Sequence, residues 1–177
     1  MKRKTNEVDI EVKLSDSQLV QTGDRVFDHL LNSLFFYMRR PVEIRAEWDL
    51  RHHLWEDMGM VVGQQLGESS GKIQIARFGS AIIPMDEALV LAAVDVSRPY
   101  LALDMELKGR EEGFNPPLFK EFLNALSRGL EATIHLRQLA GSNPHHVLEA
   151  GCKSLGTALG KALAEGNRLE STKGNLR

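Results

Sequence analysis

Along the chain, apolar and polar residues first alternate and then recur at longer intervals. "VDIEVKL" (8–14), "PVEIRAEW" (41–48) and "ATIHLRQL" (132–139) switch character at almost every position, which predicts strands with one buried face. "FDHLLNSLFFYM" (27–38) and "LFKEFLNALSRGL" (118–130) repeat their apolar positions every three or four residues and predict amphipathic helices. Trp55, Met58, Val62 and Leu66 keep the same spacing, as do Leu148, Cys152, Leu155 and Leu159, and these predict two more. "GREEGFNPP" (109–117) predicts a loop. The polar end "GNRLESTKGNLR" (166–177) reads as disordered on composition alone.

These elements occur twice. "FDHLLNSL" (27–34) lies over "FKEFLNAL" (119–126), and with one residue inserted "HHLWEDMGMVVGQQLG" (52–67) lies over "HHVLEAGCKSLGTALG" (145–160). The second pairing matches both histidines, a glutamate, Gly63 with Gly156, Leu66 with Leu159 and Gly67 with Gly160. Such a repeat marks an internal duplication. It predicts an α+β domain of two sheet-plus-helices halves about a pseudo-two-fold axis. The boundary is expected near residues 80–88, giving halves 1–84 and 85–177 with no flexible linker between them.

Composition narrows the functional classes. With 177 residues, 42% of them hydrophobic, the chain can fill one core. A formal net charge of −2 offers no general basic field for nucleic acid or an anionic membrane, so a small-molecule partner is expected. The opening "MKRKTNEVDIEVKL" lacks a signal-like apolar run, and "ALVLAAV" (88–94) is far shorter than a membrane span. The lone Cys152 cannot form an intrachain disulfide and aligns with Gly59 on an inward helix face, so it reads as core. A cytoplasmic protein is expected.

The repeated segment also concentrates the histidines. All six, His29, His52, His53, His135, His145 and His146, lie in the duplicated region or in elements leading to it. Adjacent residues on a helix point about 100° apart, so His52 and His53, or His145 and His146, do not readily serve one ion. Glu56 and Glu149 share a face with either member of their pair, which predicts that each pair divides between two metal centres. Imidazole nitrogen with carboxylate oxygen suits Mn, Fe, Co, Ni or Zn, and the lack of thiolates argues against a closed structural zinc site. A lone buried histidine is usually a hydrogen-bonded core residue and a single HHxxE is a weak pattern, but two copies at matching positions favour metal.

Seven stretches, in order, resemble the imidazoleglycerol-phosphate dehydratase family: "RKTNEVDI" (3–10), "FDHLL" (27–31), "HHLWEDMGMVVGQQL" (52–66), "ARFGSAIIPMDEAL" (76–89), "DVSRPY" (95–100), "TIHLRQLAGSNPHHVLEAGCKSL" (133–155) and "STKGNL" (171–176). The resemblance implies the α+β fold typified by the second domain of ribosomal protein S5. It implies two Mn²⁺ ions per site held between subunits, with His29, His52, His53, Glu56, His135, His145, His146 and Glu149 as ligands. Glu7 is the implied acid/base, with Glu56 and Glu149 as further candidates for moving protons. Arg77, Arg98, Lys153, Ser171 and Lys173 are the implied phosphate contacts, so the "STKG" tail is expected to fold over phosphate.

The implied reaction is the dehydration of imidazoleglycerol phosphate to imidazoleacetol phosphate in histidine biosynthesis, through an imidazolate bridging two manganese ions. The implied assembly is a symmetric shell of twenty-four chains built from trimers. Two other classes fit parts of the pattern. A dinuclear phosphohydrolase would use metals and cations but usually draws on more aspartates. A metal-storing or metal-assembled structural oligomer would leave Glu7 and the Arg/Lys set unexplained.

Overall fold

The computed structural model describes residues 1–71, 74–106 and 115–172. The first sheet contains β1 (Lys2–Lys4), β2 (Val8–Leu14), β3 (Leu19–Gln21) and β4 (Val42–Trp48), in the order β1-β2-β4-β3. Helices α1 (Arg25–Met38) and α2 (Arg51–Ser70) complete that half. The second half repeats the plan with β5 (Phe78–Met85), β6 (Ala88–Val96), β7 (Tyr100–Asp104), α3 (Pro116–Leu130), β8 (Ala132–Ala140) and α4 (Pro144–Ala162), and its sheet order is β5-β6-β8-β7. In each sheet the third strand runs parallel to the fourth and the remaining pairs are antiparallel. The expected division at 84/85 falls inside β5. The sheets change earlier, between Ser70 and Phe78, because β5 pairs along its whole length with β6.

Strand alternation fixes which side of each sheet carries helices. Val8, Ile10 and Val12 face inward while Glu11 and Lys13 face solvent, and β8 buries Ala132, Ile134 and Leu136 while exposing His135 and Arg137. β5, β6 and β7 lack that signal. Ile82 is exposed and Leu89 and Leu91 lie on the open face of β6, so apolar residues occupy both faces and the period disappears from the sequence.

The four helices pack across the duplication: α1 lies on α4 and α2 on α3, around one continuous core. The repeated glycines let them approach. A Cβ at Gly63 would lie 2.7 Å from the Leu126 carbonyl oxygen, and one at Gly156 would collide with the carbonyl oxygen of Leu34. Leu34 and Leu126 occupy matching positions in the aligned helices, so the two contacts are one contact made twice. Helices α1 and α3 also end alike, on left-handed residues Arg39 (φ 58°) and Glu131 (φ 57°) whose N–H groups return to helix carbonyls.

The loop expected at 109–117 falls mostly outside the described residues; Asn115 caps α3, and Pro116 and Pro117 open it, positions where proline loses no helical hydrogen bond. Among the described residues no helix is long and apolar enough to cross a membrane.

Candidate active site

Both histidine pairs open helices. Asn143 caps α4: its Oδ1 accepts the backbone N–H groups of His145 at 2.8 Å and His146 at 3.3 Å, which fixes the backbone of both in the first turn. From there His145, Glu149 and Lys153 follow at four-residue steps on one face of α4. His29 comes from the second turn of α1, which starts at the buried cap Asp24. Asp24 accepts from Phe27 N at 3.3 Å, from Trp55 Nε1 at 3.0 Å and from both Arg51 Nε at 2.9 Å and Nη2 at 3.0 Å, tying the starts of α1 and α2 together.

At the α1–α4 crossing three candidate ligands meet. His29 Nε2 is 2.9 Å from Glu149 Oε2, His145 Nε2 is 3.2 Å from the same oxygen, and the two rings stack with centroids 5.5 Å apart. Ligand atoms of all three lie within 4.8 Å of one another. Two imidazoles and a carboxylate so placed fit a divalent transition-metal ion, leaving its other coordination positions to further ligands. The second oxygen of Glu149 accepts from Lys153 Nζ at 2.9 Å. Burial pushes the Glu149 carboxyl up, but its hydrogen bonds with Lys153 and His29 outweigh that and hold it below the usual range. Lys153 also lies 5.6 Å from the Tyr37 ring centroid and 3.6 Å from Met85 Sδ, so a cation stands one helical turn from the triad.

The first-half pair does not close an equivalent cluster among the described residues. His52 Nε2 lies 3.5 Å from Glu56 Oε2, but Glu56 Oε1 accepts from Arg128 Nη2 at 3.1 Å, and the position matching His29 is Glu121. The second histidine of each pair turns elsewhere. His53 Nδ1 is 2.7 Å from Asp49 Oδ1, with Glu7 Oε1 4.0 Å from Nε2. His146 Nδ1 is 2.7 Å from Glu87 Oε2, with Asp86 Oδ2 3.7 Å from Nε2. His146 and the N–H of Asn143 bring the Glu87 carboxyl down to about 2, and the bond to Asp49 raises His53. His135 is on the outer face of its sheet, 6.0 Å from Tyr100 between ring centroids.

The expected phosphate contacts fall into separate groups. Lys153 adjoins the triad. Arg77 makes a fork to Asp95 (Nε–Oδ1 2.7 Å, Nη2–Oδ2 3.1 Å), and its Nη1 donates to the Glu170 carbonyl oxygen beside Ser171. Arg77 therefore ties down at Glu170 the polar tail that composition alone reads as disordered. Arg98 is exposed near Asp95, whose carboxyl it helps lower; Lys173 lies outside the described residues. The sequence motifs did not single out Asp49 or Glu87, although Glu87 lies within "ARFGSAIIPMDEAL". An acid at a strand turn is usually a solvated charge, and only tertiary structure brings this one to a histidine 59 residues away. Cys152 is buried among apolar groups that push its thiol up, leaving it inert as expected.

Residues 22–159 match the sequence model of the imidazoleglycerol-phosphate dehydratase family. The chain is similar to imidazoleglycerol-phosphate dehydratase of Pyrococcus furiosus, 49% identical over 177 residues that cover 99% of this chain and 100% of that one. It is also similar to that of Acetivibrio thermocellus, 41% identical over 187 aligned positions, with 98% and 96% covered. The fold matches the crystal structure of the Pyrococcus furiosus protein with a TM-score of 0.94, covering 98% of this chain and 99% of that one. The Staphylococcus aureus structure matches with a TM-score of 0.81 at 32% identity, covering 94% and 98%.

Proposed function

Since the chain belongs to the imidazoleglycerol-phosphate dehydratase family and is a dehydratase of that kind, we propose that it forms imidazoleacetol phosphate and water from imidazoleglycerol phosphate at a manganese site built from both halves. The observation that carries the metal part of this reading is the triad His29, His145 and Glu149, contributed by two helices from opposite halves, with Lys153 beside it.

In this reading His29, His145 and Glu149 hold one cation, and His52, His53, Glu56, His135 and His146 belong to ligand sets completed between copies of the chain. His135 supports that division, because its side chain leaves the outer face of a sheet whose inner face carries α4 and cannot reach the triad of its own chain. The same outer face exposes Phe78, Ile82, Tyr100 and Leu139, whereas the first sheet's outer face carries Glu11, Lys13 and Arg45. An apolar face with a candidate ligand in it suits cover by another copy, in a shell of twenty-four chains assembled from trimers.

The bound cations supply Lewis-acid charge that favours the anionic form of the substrate's ring. The chain's own groups do the rest. Loss of the hydroxyl beside the ring and of a proton from the next carbon needs a group to hold and move protons, and in this reading the exposed Glu7 carboxylate, 4.0 Å from His53 Nε2, takes that role. Lys153 supplies a point charge for the phosphate, and Arg77 keeps the tail near Ser171 in place to join it. Incubation of manganese-loaded protein with imidazoleglycerol phosphate, with detection of the ketone product, tests the reading; unchanged substrate with full metal content refutes it.

A further inference from the structure

Each half presents a second histidine, His53 or His146, whose Nδ1 is held by a carboxylate. Each Nδ1 lies 2.7 Å from a carboxylate oxygen, whereas the nearer carboxylates on the Nε2 side, Glu7 and Asp86, stay 4.0 and 3.7 Å away. A carboxylate accepts only, so the short contact places the proton on Nδ1 and leaves the Nε2 lone pair directed away from it. A histidine bound to a metal through Nε2 requires that tautomer.

The two grips come from different places in the repeat. Glu7 and Glu87 each directly precede the second strand of their sheet, Val8–Leu14 and Ala88–Val96. In the second half this glutamate holds the histidine and is itself fixed, its Oε1 accepting the N–H groups of Ser142 at 3.3 Å and Asn143 at 2.9 Å. In the first half the grip comes from Asp49, one turn before His53, with its Oδ1 also accepting Leu50 N–H at 2.6 Å.

We propose that Asp49 and Glu87 are positioning residues that set the tautomer of His53 and His146 and aim Nε2 at a divalent cation, and that Asp49, by holding His53, leaves Glu7 unfixed for proton transfer. The proposal rests on the metal reading above and extends it to two carboxylates that act through the histidines they hold. The duplication thus yields unlike sites: one strand-turn glutamate is committed to orienting a ring, while its counterpart keeps its carboxylate on the Nε2 side.

The sharpest test is Glu87→Gln. The amide has one acceptor oxygen, which the Ser142 and Asn143 N–H groups claim, so its NH2 faces His146 Nδ1 and converts that nitrogen to an acceptor. The proton must then move to Nε2. Long-range proton–nitrogen spectra of metal-free, nitrogen-15-labelled protein are expected to show Nδ1–H at His53 and His146 in the wild type and Nε2–H at His146 in Glu87→Gln. Mn²⁺ affinity, measured by competition with a chelating dye, is expected to fall roughly 10–100-fold in Glu87→Gln and in Asp49→Ala. Asp49→Ala leaves the α4 cap untouched and provides the readout if Glu87→Gln does not fold. Wild-type rings protonated at Nε2 and not at Nδ1, or Mn²⁺ affinity within twofold of wild type in folded variants, overturn the proposal. A wild type with the expected tautomers but no Mn²⁺ binding overturns the metal reading and, with it, the role of aiming a ligand.

Discussion

Substituting Gly156 by alanine tests whether the close α1–α4 approach builds the site. A methyl there would lie 3.1 Å from the Leu34 carbonyl carbon and 3.2 Å from Met38 N, and closer still to the Leu34 oxygen. These are backbone atoms of a neighbouring helix, so no rotamer change relieves the clash and the helices must separate by roughly 1 Å. Overpacking of this kind costs about 1–3 kcal/mol, and the upper end applies because only backbone can yield. Alanine returns about 1 kcal/mol through its helix propensity, leaving a net loss near 2 kcal/mol. For a chain of this size that lowers the melting temperature by about 4–8 °C. The same separation would stretch the 2.9 Å contact between His29 and Glu149 beyond hydrogen-bonding range, so Mn²⁺ affinity should also fall. Thermal unfolding of the metal-free protein and a Mn²⁺ titration measure the two effects. Gly71→Ala is the control: its φ is −64° and its nearest contact would be an ordinary 3.4 Å. A Gly156→Ala protein as stable as the Gly71→Ala control, with unchanged Mn²⁺ affinity, would refute the packing argument.

Other perturbations separate the parts of the site. Asp24→Ala removes the α1 cap and the acceptor of the buried Trp55 N–H, and a loss of about 2–4 kcal/mol is expected in urea unfolding. His145→Ala should lower bound manganese measured by elemental analysis, together with turnover. Glu7→Gln should keep manganese and substrate binding while kcat drops roughly 10²–10⁴-fold, and a normal kcat would remove it from proton transfer. Lys153→Met should weaken inorganic phosphate more than an unphosphorylated imidazole ligand in competition assays. Chelation should yield smaller species that reassemble with Mn²⁺, as read by sedimentation velocity; an unchanged large particle after verified metal removal would show that metal does not hold the shell together.

Much of this architecture follows from local sequence because its causes are local. The period of two in β2, β4 and β8, the period near 3.6 in all four helices, and the doubling of the HHxxE segment each reflect which face of an element is buried. The repeat also foretold the glycines' equivalence, though not that Gly63 and Gly156 are needed by helices of the opposite half. Strands β5 and β6 stayed hidden, since apolar residues on an open face erase the alternation. At the site, sequence singled out His29, His145 and Glu149, but only tertiary structure selected these three from eight candidates, because α1 crosses α4 while the outer face of β8 carries His135 away. It likewise turned Arg77 into an anchor for the tail and placed Glu87 against His146. Residue type and spacing determine what chemistry a side chain can offer; which group it meets depends on packing between segments distant in the chain, and no local periodicity records that.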